Sequence, residues 1–393
     1  MIRRRSRLTL LLLLTCAFLF FNLSTLPRPL PPPPPLPPSF DPGRIFIASN
    51  HWNSESILRS HWSDAVTRLI VRLGVENVYF SLYESGSWDD TKGALRELDE
   101  RLGKLGVERR VILEGTTHAD EISRTPRVGE EGWIVTPRGG KELRRIPYLA
   151  RARNRVLEPL LELQQDRGGG KNGSFDRLLF LNDVIFTVED ALNLLSTRNG
   201  EYSAACSLDF LDSTKFYDTF ALRDINGRSA ASLSYPFFAS GPSRAALLAS
   251  APVPVRSCWN GMVVFDAAPF LPPSNLRFRG VSDSLAERHV EGSECCLIHY
   301  DNPLSDKGVW LNPNVRVAYK AKGWELIRHG VGWPGKRERI WGGVVGIVTA
   351  VLGLPWGDGK VVGRVREWGG SEPGVDCLID EMHVLVSNGW KHL

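Results

Sequence analysis

Arg177-Leu-Leu-Phe-Leu-Asn-Asp-Val-Ile-Phe-Thr-Val-Glu-Asp-Ala-Leu-Asn-Leu-Leu195 reads as a strand, a polar corner and a helix in succession. Arg177 to Leu181 is a short apolar run of the kind that forms a strand buried on both faces, and Val188 to Leu195 spaces its apolar residues as a helix does. Asn182-Asp183-Val184 therefore stands where the strand gives way to the helix. The same unit recurs upstream. Ile45-Phe-Ile-Ala48 runs into the polar loop Ser49 to Glu55, and a helix follows with Ile57, Leu58, Trp62, Val66 and Leu69 on one face. Asn77 to Leu82 leads through Tyr83 to Thr91 into a helix carrying Leu95, Leu98 and Leu102. Arg110 to Leu113 is a third strand, Tyr148 to Gln165 a further helix, and Tyr202 to Cys206 a strand that ends in Ser207-Leu-Asp209. This alternation predicts an α/β fold with a mostly parallel central sheet and helices on both faces. Ligands of such sheets sit at the carboxyl ends of the strands, where these polar loops fall. From about residue 210 to 300 the pattern breaks into short strands and long, aromatic loops. Residues 324–393 are rich in Gly and Trp, and the run Gly342 to Leu354 is too short to span a bilayer, so it reads as packing.

The 393 residues are 42% hydrophobic and 23% charged, which excludes a mainly disordered or fibrous chain. Lys and Arg number 48 against 44 acids, and the excess is Arg3, Arg4, Arg5 and Arg7, so the rest of the chain is balanced. A nucleic-acid-binding protein would carry a broader basic footprint. The arginines precede an uncharged run from Leu8 to Leu23. Basic residues before such a run keep the terminus cytosolic and send the bulk of the chain across the membrane. A signal anchor at 8–24 is expected rather than a cleaved peptide, because no small-residue cleavage site follows. The ten prolines in residues 27–42 favour an extended, semi-rigid stem. The layout is thus a cytosolic tail at 1–7, an anchor at 8–24, a stem at 25–43, a globular domain at 44–320 and an extension at 321–393. Five cysteines would lie in the oxidising compartment, an odd number, so at least one stays unpaired inside the chain. Cys295 and Cys296 are expected on opposite faces of a strand. Asn172-Gly-Ser is the better placed of two glycosylation sequons.

Asp183 either caps the next helix or ligates a divalent ion, since hard cations take oxygen ligands and leave positions open for phosphate. Arg151, Arg153 and Arg155 stand on one helix, where positions 151 and 155 share a face and 153 points elsewhere. One of them is expected on phosphate, where a planar fork of donors matches the oxygens. His299 closes the apolar run Cys295-Cys-Leu-Ile, read as a strand. Glu291 and Glu294 bracket a Gly-Ser just before it. No GxGxxG after a strand, GxxxxGK[ST], GxSxG or HExxH pattern occurs.

Six stretches in order, Ala48 to Glu55, Ser81 to Thr91, Tyr148 to Asn154, Phe180 to Asp183, Ser257 to Gly261 and Glu291 to His299, resemble the fungal capsule-associated α-1,3-mannosyltransferase family, typified by a cryptococcal enzyme. The resemblance covers about residues 44–320, with Glu381-Met-His-Val-Leu near the end. It implies a single-pass type II Golgi membrane protein with a GT-A-like nucleotide-sugar-binding domain, a GDP-mannose donor, a glycan or glycolipid acceptor and a manganese-type ion. On this reading Asp183 and His299 hold the metal. Asn182 stands where the family pattern expects an acid, so one ligand is missing or replaced. Asn50, Glu55, Glu84, Arg153, Asn154 and Asn182 would meet the donor, and Trp259 and Asn260 the acceptor sugar. Glu294, then Asp209, would serve as acid/base or stabilise the oxocarbenium. An α-linked donor giving an α-linked product is a retaining transfer. Two rivals stand beside it. One is a non-catalytic lumenal sugar- or nucleotide-binding scaffold on a decayed transferase fold, suggested by the missing acid. The other is a hydrolase using Glu291 and Glu294, which lie too close in sequence to flank one bond comfortably.

Overall fold

The computed structural model describes residues 13, 15, 16, 41–166, 174–352 and 358–393. The expected anchor and stem lie almost wholly outside them, as does Asn172. Among the described residues no helix is long and apolar enough to cross a membrane.

The strands, in chain order, are β1 (Ile45–His51), β2 (Val78–Glu84), β3 (Glu108–Leu113), β4 (Trp133–Val135), β5 (Lys141–Leu143), β6 (Arg177–Leu181) and β7 (Ala204–Phe210). They continue with β8 (Arg223–Asp224), β9 (Val253–Ser257), β10 (Met262–Asp266), β11 (Glu291–Gly292), β12 (Val309–Ala318), β13 (Leu378–Ile379), β14 (His383–Val386) and β15 (Gly389–His392). Nine of them form one sheet in the order β3-β2-β1-β6-β10-β7-β12-β9-β8. β1, β2, β3 and β6 pair in parallel, as do β7 and β12, while β10 runs against both β6 and β7. With β9 reversed against β12 and β8 reversed again, seven of the nine strands point one way. The expected mostly parallel α/β sheet is present, with two reversed strands in its second half.

Two apolar layers cover the faces. One gathers Phe46, Val156, Leu160, Leu178, Phe180 and Trp259 under the helix Arg145–Asp166. The other gathers Ile47, Trp62, Leu69, Phe80, Leu98, Leu179 and Leu195 under the helices that follow β1, β2 and β6. Alternate residues of β1 and β6 enter opposite layers, which is why these strands read as unbroken apolar runs.

The chain winds outward from β1 to β2 and β3, then returns to β1's other side with β6. That reversal opens a crevice at the carboxyl ends of β1 and β6, the position where doubly wound sheets bind ligands. Because β10 is antiparallel, the Trp259-Asn260-Gly261 turn before it reaches the same edge as Asn182 after β6 and Asp209 near the end of β7.

The stretch Cys295 to His299 is not a strand. It lies in the helix Glu294–Tyr300, capped by the Ser293 side chain on the Cys295 N–H at 3.2 Å. An apolar run of this length fits either structure, and the preceding Ser decides for the helix. Cys296 bridges Cys377, Cys206 bridges Cys258, and Cys295 is a buried free thiol. The 296–377 bridge ties the C-terminal extension to the domain. The hairpin β14–β15 belongs to that extension.

Candidate functional site

A cavity of about 830 Å³ opens between the β6-β10-β7 edge and the C-terminal hairpin, within the size range of small-ligand sites. Asn182, Arg153, Trp259 and Glu294 line it, as expected from sequence. Arg145, Asp218 and Tyr319 line it as well, and sequence reasoning did not single them out.

The arginine helix sorts its guanidinium groups by angular position. Arg151 and Arg155 are exposed, and Arg153 turns inward. Its Nε donates to Glu294 at 3.0 Å, and its guanidinium carbon lies 4.2 Å from the centre of the Trp259 ring. Arg153 is thereby committed to a protein carboxylate and holds Glu294, 2% exposed, at the cavity wall. About two turns earlier, where the helix begins, Arg144 and Arg145 part company. Arg144 is 1% exposed and bridges Glu291 at 2.7 Å and Asp283 at 2.8 Å. Arg145 enters the cavity, stacks on Trp390 at 4.0 Å and forms no ion pair among the described residues. Its Nε has no partner, and burial pulls its pKa down against the opposing charges of Glu294 and Asp218. The Arg144 bridge also removes Glu291 from the cavity, so the Glu291–Glu294 pair of the hydrolase reading is not available there.

Asp209 is fully buried near the end of β7. Its Oδ1 accepts the Asp218 N–H at 3.2 Å and Asn260 Nδ2 at 3.3 Å, while Oδ2 has no partner. Burial, then the charge of Asp218, pushes its pKa up. Asp218 turns toward the cavity with one oxygen on the N–H groups of Phe220 and Ala221, at 3.1 and 3.2 Å. Its pKa is raised too, chiefly by burial. Asn260 sits beneath both acids and also donates to the Asp218 carbonyl at 2.9 Å. It is 0% exposed, so it organises carboxylates and offers no surface to a sugar. The turn that carries it needs its glycine: Gly261 has φ +85°, and a Cβ there would stand 2.5 Å from Val317.

Asp183 is not the cap of its helix. Thr187 caps it in a reciprocal box with Asp190, which leaves the Asp183 carboxylate free for another role. Among the described residues its side chain accepts from Ser54 Oγ at 3.0 Å, and burial raises its pKa to about 6. A desolvated carboxylate with one hydroxyl donor fits a cation ligand, although Asp183 does not itself line the cavity as its neighbour Asn182 does. Asn182 fits less well, because its oxygen accepts Trp259 Nε1 at 3.0 Å and its nitrogen donates to the Tyr319 hydroxyl at 2.9 Å.

The remaining expected residues do other work. His299 places Nε2 2.7 Å from the Cys258 carbonyl and stacks on Phe265, and it does not line the cavity. Burial lowers its pKa to about 4. The sulfurs beside it are the Cys206–Cys258 disulfide and cannot serve as thiolates. Asn154 braces the 278 segment through both of its amide atoms, to the Phe278 carbonyl at 2.8 Å and from the Phe278 N–H at 2.9 Å. Asn50 donates to the Ala152 carbonyl at 2.9 Å. Glu84 is buried beside Lys92, 3.4 Å away, and accepts from the Ser87 N–H. Glu55 joins Arg59 at 3.2 Å in a surface network with Asp90 and Glu97.

Fold and cavity together define an α/β protein with a polar, arginine-bearing ligand site at the carboxyl edge of its sheet. The family described as cryptococcal mannosyltransferase 1 matches residues 44–301, and the chain belongs to it. The alpha-1,3-mannosyltransferase CMT1 of Cryptococcus neoformans var. neoformans is 28% identical over 301 residues, which cover 71% of this chain and 58% of that protein. The chain thus spans little more than half the length of that relative. A solved mannosyltransferase from Pyrobaculum calidifontis, in complex with GDP-Man and Mn2+, is 10% identical over 87% of this chain and 81% of that one, with a TM-score of 0.39. GalNAc-T7 with UDP, GalNAc and Mn2+ is 13% identical over 70% of this chain and 42% of that one, with a TM-score of 0.36. Likeness at that level defines neither fold nor ligand, and both rest on the sheet and cavity themselves.

Proposed function

We propose that the chain is a retaining α-1,3-mannosyltransferase with a GT-A-like domain, moving mannose from GDP-mannose to a glycan acceptor with a divalent cation, manganese foremost. Family membership supports the reaction class. The observation that carries it to this cavity is Arg145, a guanidinium facing two carboxylates without an ion-pair partner among the described residues. A diphosphate would supply the missing negative partner, matched by the planar fork of donors.

Arg145 binds the diphosphate, while Arg153 positions Glu294 and balances its charge. Glu294 and Asp218 are the carboxylates available to a developing oxocarbenium or to the acceptor hydroxyl proton, and Asp209 with Asn260 holds Asp218 in place. Trp259 offers the cavity an aromatic edge beside Arg153. Asp183 is the residue that would hold the cation, and His299 would not. When bound, such an ion draws off charge from the departing diphosphate. The apolar run at 8–24 would anchor the protein in the Golgi membrane with its domain in the lumen.

Purified protein incubated with GDP-mannose, Mn2+ and a mannoside acceptor should form a mannosylated product. Asp183→Asn should lower the rate by about 10²–10³, the usual effect of losing a group that stabilises developing charge. Normal turnover in that variant would remove Asp183 from the chemistry. Absence of GDP-mannose binding by calorimetry, with or without Mn2+, would favour the scaffold reading.

A further inference from the structure

The C-terminal hairpin brings together three side chains that neither the fold nor the proposed transfer requires. His383 on β14 and His392 on β15 are directly paired across the ladder, so their side chains share a face. Glu381 precedes His383 by two residues, the spacing that returns an extended chain to the same side. All three line the cavity. One oxygen of Glu381 lies 2.6 Å from His383 Nε2 and 2.7 Å from His392 Nδ1, and one ligand atom from each residue lies within 4.8 Å of the others. The hairpin lies beyond residue 301, outside the stretch that the family model matches.

We propose that Glu381, His383 and His392 form a binding site for a first-row divalent cation, Zn2+ foremost, with its open position turned to the cavity. Two imidazoles and a carboxylate are a common zinc set, and three protein ligands leave a fourth position for water or a ligand oxygen. The nitrogens exclude Mg2+ and Ca2+ as the preferred ion, since those take oxygen ligands. With bonds of about 2.0–2.1 Å, tetrahedral ligand atoms stand about 3.4 Å apart. The trio must therefore open by roughly 0.7 Å, which side-chain rotation supplies, because Glu381 and His392 are 42% and 57% exposed. His383 is the fixed member, 2% exposed, and its Nδ1 has no hydrogen-bond partner. In the hairpin as it stands Nε2 donates to Glu381, and with Nδ1 unpartnered the ring is free to carry its proton there once an ion takes the Nε2 lone pair. Arg145 opposes a cation here, and the charge of Glu381 offsets it.

The test reads metal binding alone, so its failure and that of the transferase reading are distinguishable. Full-length, tag-free protein is stripped with chelator and titrated with Zn2+ by calorimetry and with Co2+ by visible absorption. The wild type should bind one equivalent with a tetrahedral Co2+ spectrum, distinct from the weakly absorbing six-coordinate spectrum that an oxygen-ligated ion at Asp183 would give. His392→Ala and Glu381→Gln, both at exposed side chains, should weaken binding by more than the roughly tenfold that even an outer-shell partner is worth. Asp183→Asn should keep the same Co2+ spectrum and affinity. Absence of binding in the wild type, unchanged binding in both hairpin variants, or loss of the ion in Asp183→Asn would each overturn the site. A melting curve matching the wild type shows that the hairpin variants are folded.

Discussion

At the edge of β1 and β2 stand Glu55 and Glu84, and at the edge of β7 and the start of the helix Glu294–Tyr300 stand Asp218 and Glu294. All four are acids near the functional edge of one sheet, and their surroundings differ. Glu55 is spent on Arg59 at the surface, and Glu84 is walled in by Lys92 and a backbone N–H. Asp218 and Glu294 face open cavity, Glu294 held by Arg153 at 3.0 Å, and Arg145, which feels the charge of both acids, has no ion-pair partner among the described residues. A carboxylate at a strand end is thus not a functional signal by itself. What separates the two groups is whether the carboxylate opens onto the cavity beside a guanidinium that has no ion-pair partner among the described residues.

The largest expected effect breaks this comparison directly. Glu294→Gln and Asp218→Asn should each cut mannosyl transfer by about 10²–10⁴, the range for a positioned acid, base or charge-stabilising group. Glu55→Ala should leave the rate unchanged, and Glu84→Gln should act on stability alone. Steady-state rates for the four variants decide it, and a Glu55 loss equal to the Glu294 loss would erase the distinction. Next in size is Arg144→Met. It leaves Glu291 buried and unpaired, and should cost about 3–5 kcal/mol in denaturant unfolding, because breaking a buried pair strands a charge. A near-neutral result would show that the Glu291 carboxylate finds another donor.

The smallest effect concerns pH. Burial raises the Asp183 carboxyl to about 6 and moves Asp209 upward as well, so the folded chain holds protons that the unfolded chain has released. Stability from these groups is complete below the unfolded carboxylate value of about 4 and is lost as pH rises through the folded values. The contribution of these two carboxyls to the melting temperature should therefore decline above about pH 4, against the gain from His51, His118 and His299, whose buried rings are held at about 4 or below. Asp209→Asn should flatten that decline, and an identical slope in the variant would show that Asp209 is ionised in the fold.

The parallel half of the sheet was legible strand by strand, with β1 and β2 running three and two residues further than their apolar runs, into what read as polar loop. Arg177 to Leu181 and Val188 to Leu195 have the bounds their apolar spacing predicts, and the inward turn of Arg153 follows from its place between Arg151 and Arg155. Cys295 to His299 was misread as a strand, because five apolar-flanked residues satisfy either period. Arg145 went unnoticed because it adjoins Arg144, and no local pattern tells a buried structural guanidinium from one facing a cavity. Asp218 lay in a stretch recognised as a cleft lining, where the aromatic neighbours drew the reading.

Local periodicity and strand-end chemistry thus settled the α/β class, the edge that bears the site and, together with the family resemblance, four residues of the cavity wall. Those follow from contacts within a few residues, which a chain carries in its order. Which acids are neutralised, that His299 is tied to a carbonyl, and that residues 381–392 fold back to close the cavity were decided by tertiary structure. The reason is that desolvation and ion pairing depend on groups far away in sequence: 147 residues separate Arg144 from Glu291, and 141 separate Arg153 from Glu294.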